Sequence, residues 1–332
     1  MAPTIKEIAK RAKVSIATVS RALNDDERVT EETKQLINSI SDQLNYRPNI
    51  LARNFVKKKS NIIGLILPEI SDEFFTEIIQ GIDEITFSFG YYTMVASSHK
   101  NKTIVESIST FIGSGMIGGL IILVPFFTEE IKNVLSKPHI PVILICGDSS
   151  IKKFDTISID NYQGSYDLTN YLIFSKGYKK ISYISGPLNN IDALLRKKGF
   201  QDACRKNNIN VEKEWIKEGD FTRQSGETLC REILQGSKKP EIIVAANDMI
   251  AMGCYNVIKA HNLKIPADIA VTGFDDILLS KYIEPGLTTV RANIEEVSKT
   301  AATMLMNKMK KQLKEEPQHI RIKTELVIRK SC

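Results

Sequence analysis

Residues 4–24 read TIKEIAKRAKVSIATVSRALN, an order that predicts two short helices joined by a tight turn. Thr4 is expected to cap the first helix, with Glu7 three residues later as its capping-box partner. Ser15, just after the turn, is expected to cap the second helix. The apolar residues of the first helix recur with the spacing of one buried face: Ile5, Ile8, Ala9 and Ala12. The stretch therefore predicts a helix-turn-helix.

The second predicted helix has an inner and an outer side. Three apolar residues should face the first helix: Val19, Ala22 and Leu23. Four residues near its N-terminus are left pointing outward: Ile16, Ala17, Ser20 and Arg21. A recognition helix reads base edges in the major groove with its N-terminal outward residues. The pattern favours DNA binding over the alternative, a helical hairpin at the edge of an enzyme.

The order of residues in this stretch resembles the DNA-binding headpiece of the LacI/GalR family of bacterial transcription regulators. The family signature is T-x-x-D/E-I-A-x-x-A-x-V-S-x-x-T-V-S-R-x-L-N, and nearly every fixed position is present here. The segments YRPN at 46–49 and LAR at 51–53 match the next landmark of the family. The resemblance continues to the C-terminus and therefore covers the whole chain.

Charge is unevenly distributed along the 332 residues. Residues 1–60 hold 12 Lys and Arg against 7 Asp and Glu, whereas the remaining residues hold 33 against 32. A basic excess confined to one small segment suggests a polyanion as the partner of that segment. Beside the predicted helix-turn-helix, this partner is expected to be double-stranded DNA.

Several protein classes are excluded by composition. No apolar run reaches 18 residues, so no membrane span is expected, and no apolar leader opens the chain. The five cysteines are widely spaced without a CxxC pair, which favours free thiols in a reducing cytoplasm. The four histidines lack metal-ligand spacing, and no catalytic motif stands out. We therefore expect a cytoplasmic protein without enzyme activity, metal or cofactor.

One apparent nucleotide-binding motif is interpreted otherwise. Residues 113–118 read GSGMIG and fit GxGxxG. A dinucleotide fingerprint must follow a strand and open a helix, whereas this run follows a predicted helix and precedes a predicted strand. We interpret it as a helix end and a turn.

Beyond the two short helices, a third helix is expected to begin at Thr30. Its inner face is predicted to consist of Leu36, Ile37, Ile40 and Leu44. Residues 49–56 have the length of about two helical turns, which is marginal in isolation, so this hinge segment is expected to become ordered on binding. The predicted domains are a headpiece at 1–45, a hinge helix and linker at 46–59, and a ligand-binding and dimerisation domain at 60–332.

From residue 62 onward, short apolar strands alternate with helices. The predicted strands are 62–67, 92–96, 120–124, 142–145, 181–184, 241–245 and 269–272. Helices are predicted at 74–87, 167–174 and 249–260, among others. This alternation predicts parallel sheets, whose ligands bind beyond the carboxyl ends of the strands. The residues after these strands are polar and turn-forming, which favours a cleft for a hydroxyl-rich small molecule over simple strand endings.

The resemblance implies a periplasmic-binding-protein type I fold with two parallel-sheet subdomains. The N-subdomain is expected at about 60–160 and 291–318, and the C-subdomain at about 161–290 and 321–332. Three crossings between them are expected near Asp160, near Arg291 and near residues 318–321. The resemblance also implies a homodimer that binds a pseudo-palindromic operator.

The resemblance assigns roles to residues of the headpiece. The family uses the positions of Ile16, Ala17 and Arg21 to touch bases. Arg21 can contact guanine O6 and N7 together, while Ile16 and Ala17 can contact only thymine methyls. Three polar side chains are expected to bind phosphates: Thr18, Ser20 and Asn24.

In the hinge, the family inserts a leucine into the central minor groove, and the matching residue here is Phe55. Phenylalanine also serves as a wedge in minor-groove binders. The alternative, that Phe55 contacts the effector domain, stays open. Ala52 and Arg53 match hinge positions that approach the groove.

The resemblance further implies an effector site between the two subdomains. Arg196, Phe221, Asn247 and Asp275 match positions that hold the ligand in the family. Four other candidates are less specific: Phe74 and Phe75, of which one is expected in the core; Asp160, which either binds ligand or anchors a crossing; and Cys146, where relatives commonly carry an acid.

These observations lead to a ligand-responsive repressor whose effector is a sugar or similar small polar molecule rather than a purine. One alternative is a regulator that answers to a protein corepressor, as in the catabolite-control branch, which the Ile16-Ala17 pair resembles. Another is a sugar-processing enzyme, for which the chain lacks a catalytic constellation.

Overall fold

The computed structural model describes residues 3–46, 60–99, 101–136, 139–148, 150–311 and 316–332. The chain divides into two compact units, Met1–Ser60 and Asn61–Cys332. From here on, headpiece means the whole first unit, which also includes the predicted hinge, and effector unit means the second. We describe each by itself. Within the described residues, no helix is both long and apolar enough to cross a membrane.

The described residues of the headpiece form three helices around a small apolar core. They are α1 (Ile5–Ala12), α2 (Ile16–Ala22) and α3 (Glu31–Gln43). The core is formed by Ile8, Ala9, Ala12, Val19, Ala22, Val29, Ile37 and Ile40. The predicted cap of α2 is confirmed, since the Ser15 hydroxyl accepts a hydrogen bond of 3.1 Å from the Thr18 amide. The helix-turn-helix therefore forms as its apolar spacing predicts.

Two details of the headpiece correct the sequence-based expectation. Thr4 stands at the N-cap of α1 without a side-chain cap bond. The Glu7 carboxylate instead accepts from Arg11, one turn later, at 3.2 Å, so no capping box forms. Leu36 is 49% exposed, because it lies beside the buried stripe that runs through Ile37. Lys34 lies on the buried stripe one turn before Ile37, and its ammonium group binds Asp25 and Glu31.

The effector unit alternates strands and helices. Its strands are β1 (Ile62–Leu67), β2 (Tyr92–Ser97), β3 (Gly119–Leu123), β4 (Val142–Ile145), β5 (Asp155–Ile159), β6 (Ile181–Ser185), β7 (Ile216–Glu218), β8 (Ile242–Ala245), β9 (Ala270–Thr272), β10 (Thr289–Arg291), β11 (His319–Ile322) and β12 (Glu325–Val327). Its helices are α4 (Glu73–Ser88), α5 (Ile104–Ser114), α6 (Glu129–Val134), α7 (Asn161–Phe174), α8 (Ile191–Lys206), α9 (Arg223–Gln235), α10 (Asp248–Ala260), α11 (Leu279–Tyr282) and α12 (Ile294–Lys311), with a 3-10 turn at Lys213–Trp215.

Two parallel sheets define two lobes. The first has the order β11-β5-β4-β3-β1-β2, and the second has the order β7-β6-β8-β9. A short antiparallel ribbon of β10 and β12 accompanies them. The strand residues of β3 and β4 are buried throughout, as expected of parallel strands covered by helices on both faces. The predicted fold class, a helical headpiece followed by two parallel-sheet lobes, is confirmed.

The chain crosses between the lobes three times. The first crossing follows β5, and the second follows β10, which leads into α12. The third was expected near 318–321, but β11 occupies His319–Ile322 and pairs with β5 in the first sheet. The crossing therefore comes after Ile322, because the alternating HIRI segment first completes the sheet edge.

The predicted strands are all present, with ends shifted by at most one residue. The helix predicted at 167–174 begins earlier, at Asn161, because Asp160 caps it. The GxGxxG run is a helix end and turn as predicted: α5 ends at Ser114, and Gly115 has a φ of 64°. The five cysteines are free and buried, as the spacing indicated.

Candidate DNA-binding surface and effector cleft

The recognition helix α2 presents a polar and apolar surface to solvent. Ile16, Ala17, Ser20 and Arg21 are all exposed, as predicted, and Ile16 is 46% exposed. The orientation of these side chains suits base contact, while the contacts themselves remain a prediction.

Local hydrogen bonds hold the polar side chains of this surface. The Thr18 hydroxyl lies 2.9 Å from that of Ser15, so it is part of the helix cap. The Asn24 amide donates to the Ser20 carbonyl at 2.6 Å. Arg28 binds Asp26 with two nitrogens, at 2.9 and 2.7 Å, and holds the pKa of Asp26 well below its usual range. This pairing offsets an acidic charge close to Arg21.

The hinge candidates Ala52, Arg53 and Phe55 lie outside the described residues. Their contacts with the minor groove remain predictions from the sequence.

A cavity of about 220 Å³ lies between the two lobes of the effector unit. Its walls come from residues that follow β1 and β3 on one side and β6, β7, β8 and β9 on the other. Six sequence-predicted candidates line it: Phe74, Phe75, Arg196, Phe221, Asn247 and Asp275. The carboxyl ends of parallel strands therefore bring these distant residues together. We call this cavity the effector cleft.

Arg196, on α8, is the most firmly held side chain of the cleft. Its Nε donates to Asn161 at 2.7 Å, and one terminal nitrogen donates to the Ala246 carbonyl at 2.7 Å. The other terminal nitrogen lies 2.9 Å from Asp275 Oδ1. The guanidinium lies 3.8 Å from the ring centroid of Phe274, a cation–π contact. Arg196 therefore holds a fixed position without a ligand.

Asp275 follows β9 and faces Arg196 in a buried ion pair. Its side chain is 7% exposed, and its backbone has a φ of 111°, a strained conformation for a residue with a Cβ. Burial raises the pKa of Asp275, while the charge of Arg196 acts in the opposite direction and favours the carboxylate. Strain and burial at one residue are typical of functional sites.

Asn247 and Phe221 line the effector cleft in the same lobe as Arg196 and Asp275. Asn247 caps α10, with its Oδ1 accepting from the Ile250 amide, and its Nδ2 donates to the Phe221 carbonyl at 3.0 Å. The Phe221 ring lies over Gly186, where a Cβ would collide with the ring. Asn247 therefore positions Phe221, and glycine at 186 leaves room for its ring.

On the other lobe, Phe74 and Phe75 begin α4, and their rings meet edge to face at 5.3 Å. Phe75 is the buried member of the pair and belongs to the core, while Phe74 is half-buried. Asp72 caps the helix by accepting from the Phe74 amide at 3.1 Å. The cap fixes the first turn of α4 against the cleft.

The structure corrects the placement of Cys146 and favours the second of the two roles left open for Asp160. Cys146 lies in an apolar cluster under the first sheet, and burial raises the pKa of its thiol to about 12. Asp160 caps α7 at the first crossing, where it accepts from the Gln163 amide at 3.4 Å. Neither residue lines the effector cleft. A strand-end position alone did not reveal on which side of the sheet each side chain would lie.

Four acids at the cleft are absent from the site candidates that the sequence predicts. Glu69, Asp72, Asp192 and Asp220 all line it. Behind it, Asp248 is fully buried and accepts from the hydroxyls of Ser280 and Thr289, both at 2.6 Å. Burial raises the pKa of Asp248 to about 7. Glu69 follows a strand that the sequence predicts, and Asp220 follows the short strand β7. The position after a strand could have identified both acids as site candidates.

Comparison with known proteins identifies the family. Residues 4–49 match “Bacterial regulatory proteins, lacI family”, and residues 171–332 match “Periplasmic binding protein-like domain”. The HTH-type transcriptional repressor PurR of Histophilus somni is 31% identical over 329 residues, which cover 99% of this chain and 98% of the relative. The lac repressor bound to ONPG has the same fold, with a TM-score of 0.85 at 24% identity and coverage of 100% of both chains.

A solved LacI family regulator from Enterococcus faecium, with bound ribose, is 26% identical, has a TM-score of 0.72 and covers 81% of this chain and 98% of its own. The headpiece, the two-lobed effector unit and the similarity over nearly the full length agree. The chain belongs to the LacI family of DNA-binding transcription regulators and is a regulator rather than an enzyme.

Proposed function

We propose that this regulator is a repressor that acts in the cytoplasm and responds to a small polar effector bound in the effector cleft. The observation that carries the proposal is the fixed constellation of Arg196, Asp275, Asn247 and Phe221 at one wall of the effector cleft. Aromatic faces and polar groups around one cavity suit a ring-shaped ligand with hydroxyls. A sugar fits this description, and the ribose-bound relative supports it.

The proposed mechanism couples two sites through the two lobes. A ligand that contacts both walls of the cleft favours one arrangement of the lobes over another. Such a preference changes operator affinity only if the two arrangements differ in their affinity for DNA, which is the coupling free energy between the sites. Arg291 and Arg329, near the crossings, both bind Asp276, at 2.9 and 2.6 Å, and would hold the crossings in register.

The proposed assembly is a homodimer on a pseudo-palindromic operator, with Ile16, Ala17 and Arg21 of each headpiece at the bases. Exposed aromatic side chains on the effector unit support self-association. Phe87 and Tyr92 are 66% and 56% exposed on the first lobe, and Tyr282 is 75% exposed on the second. The rings of Phe87 and Tyr92 lie 6.5 Å apart and form one exposed aromatic patch that a second copy of the chain would cover.

The test begins with selection of an operator from random duplexes by the purified full chain. Fluorescence anisotropy on that operator then measures affinity in the presence of sugars, sugar phosphates and nucleobases. A compound that changes operator affinity in the wild type, and does not do so in Asp275→Asn, supports the proposal. Unchanged operator affinity across all the compounds would leave the cleft without a sensing role.

A further inference from the structure

The effector cleft carries an excess of negative charge. Five carboxylates line it: Glu69, Asp72, Asp192, Asp220 and Asp275. Among the described residues of its walls, Arg196 is the one basic side chain. Its guanidinium is paired with Asp275, and it also acts on the buried Asp192. The one positive charge of the cleft is therefore balanced by Asp275 and Asp192 at its inner wall.

The three outer carboxylates are satisfied by neutral donors. Asp72 accepts from the Phe74 amide at 3.1 Å, and Asp220 accepts from the amide and hydroxyl of Thr222 at 2.9 and 2.6 Å. Glu69 has Ser71 as its hydrogen-bonding neighbour. Neutral donors meet the hydrogen-bonding capacity of a carboxylate without cancelling its charge. The outer part of the cleft therefore keeps a negative potential.

These outer carboxylates also act on one another across the two lobes. Burial is the main reason that the pKa of Glu69 is raised, and the charges of Asp72 and Asp220 raise it further. Burial likewise raises the pKa of Asp72. Because Glu69 and Asp72 follow β1 whereas Asp220 follows β7, the negative region spans both walls.

We propose that the effector is a small hydroxylated ring that carries a protonated amine, and that the cleft rejects phosphorylated and carboxylated ligands. The inference rests on the proposed role of the cleft as the effector site. The ammonium group would lie between Asp72 and Asp220, and the ring would contact Phe74 and Phe221, whose faces also attract a cation. An anion would meet unpaired like charges, which is an effective means of exclusion.

The test uses ligands matched in shape and different in charge. Glucosamine, glucose, glucuronate and glucose 6-phosphate form one series, and the corresponding galactose compounds form a second. Calorimetry and thermal shift on the full chain should show an amine-bearing probe binding about tenfold or more tightly than its neutral match, with no binding of the acids. An acid or neutral sugar that binds as tightly as the amine overturns the inference.

Variants separate charge from structure. Asp72→Asn removes the charge and keeps the helix cap, because asparagine caps as well as aspartate. In this variant the advantage of the amine over the neutral sugar should fall about tenfold. Glu130→Gln, an exposed carboxylate on α6 of the same lobe, should keep the full advantage. An equal loss in both variants, or none in Asp72→Asn, counts against the inference.

Failure of this inference is distinguishable from failure of the proposed function. If acids or neutral sugars bind and change operator affinity, the cleft remains a sensor and only the charge preference is wrong. If no probe of any charge changes either the melting temperature or the operator affinity, both the effector function and the charge preference are wrong. Selection of an operator by the same preparation shows that the protein is folded and active.

Discussion

The headpiece and the effector cleft carry opposite charges within one chain. Residues 1–60 hold 12 basic against 7 acidic residues, whereas the cleft brings five carboxylates to one arginine. Most basic side chains in the described part of the headpiece are exposed, which suits a long polyanion: Lys6, Lys10, Arg11, Lys13, Arg21 and Arg28. The acidic charge of the cleft surrounds a cavity of about 220 Å³ that admits one small molecule. The sign of the charge and the space available therefore predict different ligands for the two regions: DNA for the headpiece and one small molecule for the cleft.

The largest expected contrast is in salt dependence. Operator affinity should fall by roughly 10³-fold between 50 and 200 mM salt, because basic side chains that neutralise phosphates release counterions. Effector affinity should change by only about a few-fold, since it involves at most one screened charge. Anisotropy and calorimetry over the same salt series measure both. A flat salt response on the selected operator would contradict the assignment of the headpiece as the DNA-binding unit.

The headpiece could be predicted from sequence more completely than the cleft. The positions of α1 and α2 follow from apolar spacing that is local, so Val19 and Ala22 are buried as predicted. The prediction that Leu36 faces the core was wrong, because a long side chain beside the buried stripe can also point to solvent. Lys34 is buried instead, and it binds two acidic residues. Local patterns fix the helices, while the exact edge of a buried face depends on tertiary neighbours.

The effector cleft required the structure, because its walls come from segments far apart in sequence. Strand ends could be predicted from apolar runs, but which face each side chain takes could not, and Cys146 lies beneath the sheet. The strands β9, β10 and β12 have three residues each, and the sequence pattern did not predict β10 or β12. The acids Asp72 and Asp192 became significant only when both lobes were placed around one cavity.

Breaking the buried ion pair of the cleft should have the next largest effect. Asp275→Ala leaves Arg196 buried without its partner, which costs about 3–5 kcal/mol of unfolding free energy. It should also cost at least about 2 kcal/mol of effector affinity, while the ligand-free protein still binds its operator. Chemical denaturation, calorimetry and anisotropy measure the three quantities. Glu130→Ala, at an exposed site, should change none of them, and a loss of operator binding in Asp275→Ala would contradict the separation of the two regions.

In the headpiece, Arg21→Ala should change specificity rather than overall affinity alone. A bidentate contact to guanine discriminates by about 1–3 kcal/mol, so the variant should lose preference at one base pair in each half-site. Lys58→Ala, in the basic run 57–59, should weaken binding to all sequences alike, because a phosphate contact carries no base information. Affinities across a panel of single-base operator variants provide the measurement. The same profile in both variants would mean that Arg21 does not read bases.

The smallest expected effect is an opposite dependence of stability on pH in the two regions. Burial raises the pKa of Asp248 to about 7 in the folded effector unit, so the folded state retains a proton that the unfolded chain releases near pH 4. The unfolding free energy should therefore fall as the pH rises from about 4 to about 7. The raised pKa of the neighbouring Asp275 acts in the same direction, with Arg196 opposing it.

In the headpiece, Arg28 lowers the pKa of Asp26, so this contribution to stability is present above about pH 4 and is lost as the pH falls. Denaturation of the full chain between about pH 2 and about pH 8, with Asp248→Asn and Asp26→Asn as the two variants, separates the contributions. Asp248→Asn should flatten the decline toward neutral pH, and Asp26→Asn should weaken the loss in acid. If Asp248→Asn keeps the wild-type slope, the buried carboxylate is ionised throughout this range, held so by the hydrogen bonds that it accepts from Ser280 and Thr289.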